Sequence, residues 1–142
     1  SETRELMEKR LFFLIHQVDR KLFKEANRLS EEDIGAPVSQ VAVLLAIHRG
    51  AAKVSEIGEA LKLNRAATSE LISRMEAKGL VTKKRSAIDG RAQIVESTPA
   101  GNIMQEAALP VISNLNERIR GSFSDDEMVV VGRFLERLMD EF

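Results

Sequence analysis

The chain has 142 residues, 44% of them hydrophobic and 30% charged, which suits one ordinary globular domain with a real core. With no cysteine and two histidines, it offers no disulfide, no thiolate metal site and no thiol redox sensor. The formal net charge is −1, yet Lys62 to Ala92 holds eight Lys or Arg against three acids, leaving +5 there and −6 on the remainder. Such segregation is the electrostatic footprint of a polyanion-binding face on an acidic body.

The N-terminus, SETRELMEKR, lacks the apolar stretch of a signal peptide, and the longest apolar run, Val41 to Ile47, is too short to span a bilayer. A cytoplasmic location is the expectation. Residues 6–29 read as a long helix, with Leu11, Leu14, Ile15, Val18, Leu22, Ala26 and Leu29 stepping by three and four. Leu6, Met7, Phe12, Phe13 and Phe23 widen its apolar surface beyond one stripe, as in a helix that is buried or shared with a partner. Residues 30–37 read as a turn, with Gly35 and Pro37 as breakers. A second helix is predicted over Ser39 to Arg49, ending at Gly50.

A third, short helix is expected over Ser55 to Leu61, with Ser55 better capping chemistry than Lys53. Lys62-Leu63 is a tight connection into a fourth helix, capped by Asn64 and stopped by Gly79. Thr68, Leu71, Ile72 and Met75 share one face of that helix, while Ala66, Ser69, Glu70 and Ser73 form the opposite one with Arg74 at its flank. Short side chains let a helix approach a groove closely while polar tips reach base edges. Two helices joined so tightly make a helix-turn-helix. Leu80 to Arg85 and Gln93 to Ser97 are the strands of a hairpin with Asp89-Gly90-Arg91 at its tip, a wing beside the helices.

Thr98-Pro99 starts a further helix well, since Thr caps and Pro at the first position gives up an N–H without a partner. It is expected to reach Ile119, with a kink or break at Pro110. Ser124 and Glu127 form a capping box for the last helix, which presents Val131, Phe134, Leu135, Leu138 and Phe142. The acidic clusters Glu31-Glu32-Asp33 and Asp125-Asp126-Glu127 each sit at a predicted helix start, where acids suit the dipole. With no phosphate loop and no assembled catalytic group either, an enzyme is not expected.

From about Leu6 to Leu138 the chain resembles the MarR (multiple antibiotic resistance regulator) family of transcription regulators. The basic strand with Arg85, the tip Asp89-Gly90-Arg91 and the run Ser97-Thr98-Pro99-Ala100-Gly101 stand at the spacing of the family's wing and its Leu-Thr-x-x-Gly run. Asn64-Arg65-Ala66 through Arg74-Met75-Glu76-Ala77-Lys78-Gly79-Leu80-Val81 matches its recognition-helix region. Two departures stand out: Ser97 replaces an apolar residue, and Glu70 occupies a position often basic or neutral in relatives.

The resemblance implies a mainly α fold with a small β-hairpin, a winged helix-turn-helix flanked by N- and C-terminal dimerisation helices. Residues 1–37 would be the N-terminal dimerisation helix and turn, 38–98 the DNA-binding lobe and 99–142 the C-terminal dimerisation helices. It implies a homodimer on a near-palindromic duplex operator, with recognition helices one helical turn apart, roughly 34 Å. Such a protein would act as a repressor modulated by a small anionic or aromatic effector, with no resident cofactor or metal. Ala66, Ser69, Glu70 and Ser73 would face base edges, with Arg65 and Arg74 on base or backbone. A Glu there can accept from cytosine N4 but repels phosphates. Lys83, Lys84 and Arg85 would meet phosphates. Arg91 would reach a narrow minor groove, steadied by Asp89 through an ion pair or a turn bond within the wing. His16, Arg20 and His48 are the polar, titratable residues nearest the family's effector region. The alternative is a winged-helix module that binds protein without specific DNA binding, since fold does not fix function.

Overall fold

The computed structural model describes residues 1–47 and 50–142. Helical backbone runs from Glu2 to Ile34: α1 (Glu2–Glu5), a π-helical turn (Leu6–Arg10), α2 (Leu11–Leu29) and a second π-helical turn (Ser30–Ile34). The predicted turn at Ser30 is therefore helix. The stop lies at Gly35, whose φ of 84° takes it into the left-handed region and whose N–H reaches back to the Ser30 carbonyl at 2.8 Å. Ser30 is buried and its hydroxyl donates to the Ala36 carbonyl, so it turns inward rather than ending the helix. Glu31, Glu32 and Asp33 consequently sit at a helix end and not at a start, where the dipole disfavours them. Arg28 offsets this by pairing with Glu32 at 2.9 Å as well as with Glu25 at 2.7 Å.

The next helix, α3 (Val38–Ala46), follows Pro37 and buries Gln40, Val41, Val43 and Leu44. Its C-cap is Ile47, where φ is −106° and ψ 11°; the predicted end at Arg49 lies outside the described residues. A strand not anticipated, β1 (Ala52–Lys53), leads directly into α4 (Val54–Leu61). That places the cap at Lys53 rather than Ser55. The Lys53 backbone is already extended by its pairing in the sheet, and its N–H donates to the Glu56 carboxylate at 2.9 Å. There follow α5 (Arg65–Ala77), β2 (Val81–Arg85), β3 (Gln93–Ser97), α6 (Pro99–Arg120) and α7 (Asp125–Glu141). The hairpin is thus part of a three-stranded antiparallel sheet in the order β1-β3-β2.

Val43, Leu44 and Ile47 from the α3 region, Ile57 from α4, Ile72 and Met75 from α5, and Leu80, Val81 and Val95 around the sheet form one core. At about 25 cal/mol per Å² of apolar surface, burying each of these side chains contributes roughly 1.5–3 kcal/mol toward holding the helices against the sheet. No break occurs at Pro110, where α6 continues. Pro110 and Glu106 are both exposed, a position where a proline within a helix costs less than it would in the core. By contacts the chain divides into two compact units, Ser1–Val111 and Ile112–Phe142, one residue beyond that proline. In the second unit, Ser124 and Glu127 form the expected capping box at the start of α7. The Ser124 N–H, and then its hydroxyl, hold the Glu127 carboxyl below its ordinary pKa. No described helix is long and apolar enough to cross a membrane.

Candidate nucleic-acid interface

The α5 helix is built as its sequence indicates. Asn64 Oδ1 accepts from the Ala67 N–H at 2.8 Å, and Gly79 ends the helix region at a φ of 76°. Asn64→Ala is expected to cost about 1 kcal/mol, read as a lower denaturant midpoint at unchanged slope. Thr68, Ile72 and Met75 are buried, which turns Ala66, Glu70, Ser73 and Arg74 out to solvent with Ser69 half-buried. Close approach between α4 and α5 rests on Gly58: a Cβ there would stand 2.9 Å from Thr68 Oγ1, which is itself bonded to the Asn64 carbonyl. The connection turns at Lys62, the described non-glycine residue with positive φ (55°), and Leu63 N–H closes onto the Gly58 carbonyl at 2.9 Å.

The sheet sorts the basic residues of the wing. Side chains alternate along a strand, so Val81, Lys83 and Arg85 share one face with Val95 and Gln93, while Lys84 points to the other. Arg85 and Gln93 overhang a groove of about 690 Å³ that is also lined by Arg91 of the wing, Arg65 and Ser69 of α5, and Lys53 and Ser55 at the start of α4. Among the described residues its cations are Lys53, Arg65, Arg85 and Arg91 against the single acid Glu59, a net +3. Lys84 is not part of this set; it pairs with Glu96 at 2.7 Å on the opposite face. Lys83 is half-buried on the groove side, and Lys78 Nζ donates to the buried Gln40 Oε1 at 3.1 Å.

At the tip, Asp89 Oδ1 accepts the Arg91 backbone N–H at 3.1 Å, the turn bond of the two arrangements expected. Ser86 Oγ accepts the N–H groups of Ile88 and Asp89, both at 3.2 Å, and Ser86 N–H donates to the Ala92 carbonyl at 2.9 Å. These bonds order the loop and leave the Arg91 side chain exposed beside the groove. Lys53, Ser55 and Gln93 were not among the sequence candidates. A two-residue strand is too short for periodicity to reveal, and only its pairing with β3 brings Lys53 to the wing. On the first helix, His16 and Arg20 are exposed one turn apart; His48 lies outside the described residues.

The chain matches the MarR family over residues 34–92, the span from the end of the first helix to the wing tip. It is 30% identical over 128 residues to the transcriptional regulator HosA of Escherichia coli, covering 88% of this chain and 93% of that protein. The chain belongs to the MarR family. Solved structures share its fold. One is a MarR family regulator from Streptomyces coelicolor determined in complex with DNA, with a TM-score of 0.87 at 16% identity over 95% of this chain and 87% of that one. Another is BpsR of Bordetella bronchiseptica, whose DNA binding is regulated by 6-hydroxynicotinic acid, with a TM-score of 0.73 at 20% identity over 89% and 98%. The chain is thus a DNA-binding transcriptional regulator of winged helix-turn-helix build.

Proposed function

We propose that this MarR family regulator is a homodimer that binds a pseudo-palindromic duplex operator and represses transcription until a small effector releases it. The observation that carries this reading is the basic groove between α4, α5 and the wing, which adjoins the short, polar outward face of α5. A duplex laid there meets Lys53, Arg65, Arg85 and Arg91 with its phosphates or minor groove, and Ala66, Ser69, Glu70 and Ser73 with its base edges.

The dimer is supported by apolar side chains that the single chain leaves uncovered. Phe12, Phe13 and Phe23 are 73%, 65% and 59% exposed on α2, and Val129, Leu135 and Met139 are exposed on α7. Large apolar side chains left exposed on each of these helices call for a partner, and closed two-fold pairing supplies it with identical copies. Residues 1–37 and 99–142 accordingly serve dimerisation, and 38–98 DNA binding. An anionic aromatic effector, as the regulation of BpsR by 6-hydroxynicotinic acid suggests, fits the exposed pair His16 and Arg20 on α2.

Selection of genomic duplex fragments on the purified protein, with light scattering on the same sample, tests the reading. The expected result is a two-chain mass, an enriched sequence with two-fold symmetry, and reduced transcription in vitro from the promoter that carries it. A one-chain mass, or recovery of fragments without any common site, overturns it.

A further inference from the structure

The two long side chains on the outward face of α5 are joined to each other. Arg74 Nη2 lies 2.6 Å from Glu70 Oε1, one turn apart, with both side chains about two-thirds exposed (69% and 66%). Around them stand Ala66, Ser73 and Ala77, all exposed and none longer than a serine. An exposed pair of this geometry adds little to the stability of a helix, so folding gives little reason for it. Its chemistry toward a duplex is more demanding. A carboxylate only accepts hydrogen bonds, and in the major groove the donors are cytosine N4 and adenine N6. Guanine O6 and N7 and thymine O4 would face it lone pair to lone pair.

We propose that Glu70 and Arg74 act as one unit that reads a C·G base pair in each half-site, an inference that rests on the operator-binding reading above. The ion pair sets an acceptor beside a donor at hydrogen-bond distance. A C·G pair displays the complement along its major-groove edge, the N4 donor of cytosine next to the O6 and N7 acceptors of guanine. Glu70 Oε1 holds one Nη of Arg74, which leaves Oε2 for cytosine and the remaining guanidinium N–H groups for guanine. An A·T pair offers the guanidinium one purine acceptor where guanine offers two, so C·G is favoured. Glu70 is thereby both a reader and the positioning residue for Arg74.

The test is parallel selection from a randomised duplex library on the wild-type protein, Glu70→Gln and Arg74→Ala. Wild type should enrich C·G at one position per half-site. Glu70→Gln should lose that preference by roughly 5- to 150-fold, moving toward adenine, which a Gln reads through N6 and N7. Arg74→Ala should relax the same position. A symmetric site recovered by wild type with that position unchanged in Glu70→Gln overturns this inference and leaves operator binding standing, as does wild-type enrichment of A·T there. Failure of wild type to enrich any site overturns both.

Discussion

Gly101→Ala is expected to lower the melting temperature by about 10 °C at fixed protein concentration, the equivalent of roughly 3 kcal/mol for a chain of this size. A Cβ at this position would stand 2.2 Å from the Leu80 carbonyl oxygen, 2.5 Å from Ser97 Oγ and 3.2 Å from Leu44 Cδ2. The first of these is backbone and is already committed, since it accepts the Thr98 N–H at 3.1 Å. The surrounding bonds make the site stiffer still. Thr98 Oγ1 donates to the Gly79 carbonyl at 2.6 Å and accepts from the Gly101 N–H at 3.1 Å, tying the end of the α5 region, the base of the wing and the start of α6 together. Alanine's better helix propensity, worth about 1 kcal/mol, cannot offset a clash that must move this junction. Ser97→Gly should not rescue the variant, because the Leu80 carbonyl remains. Gly79→Ala is the contrast: its Cβ meets open space, and the left-handed φ of 76° limits the cost to about 1–2 kcal/mol. If circular-dichroism melting places both variants within a few degrees of wild type, the junction is not as rigid as its contacts indicate.

The same junction shows what a linear reading can and cannot reach. The α5 helix was legible because cap, stop and apolar period agree: Asn64, Gly79 and the buried Thr68, Ile72 and Met75 each carry a local signal. Gly101 was legible only as a spacing. Its reason is an approach between chain segments about 20 residues apart, and no local propensity encodes that. Ser97, a departure from the family's apolar residue, is half-buried opposite Val81, with its hydroxyl bonded to the Thr98 carbonyl at 3.3 Å. The first helix outran its predicted end because Ser30 resembles a turn residue in isolation, whereas its hydroxyl is satisfied inside the fold. Lys53 was legible only as a possible helix cap, because β1 exists only through its partner strand. Lys83, Lys84 and Arg85 looked like one cluster, yet period-two alternation divides them and Glu96 takes up Lys84.

That division sets the expectation for the wing. Arg85→Ala with Arg91→Ala together should weaken duplex binding by about 10- to 100-fold near 0.15 M salt and lower the slope of log K against log salt by about two. Lys84→Ala should lower it by half a unit or less. The argument is counterion release: each cation that neutralises a phosphate frees close to one condensed ion, so the slope counts side chains that reach the duplex. Arg85 and Arg91 line the groove beside α5, with Arg91 held at the tip by the bond from its N–H to Asp89. Lys84 already has a carboxylate at 2.7 Å and faces away. An Arg that enters the minor groove still counts in the slope, since its charge displaces the ions concentrated there. Titrations of a fixed duplex at four or five salt concentrations separate the three residues without knowledge of the operator, because the electrostatic term is independent of sequence. Equal slopes for Lys84→Ala and Arg85→Ala would mean that the duplex lies across the outer face of the sheet rather than in the groove. The base contacts assigned to Glu70 and Arg74 would then have to be abandoned with it, because a helix read from the groove side cannot serve a duplex on the other side of the wing.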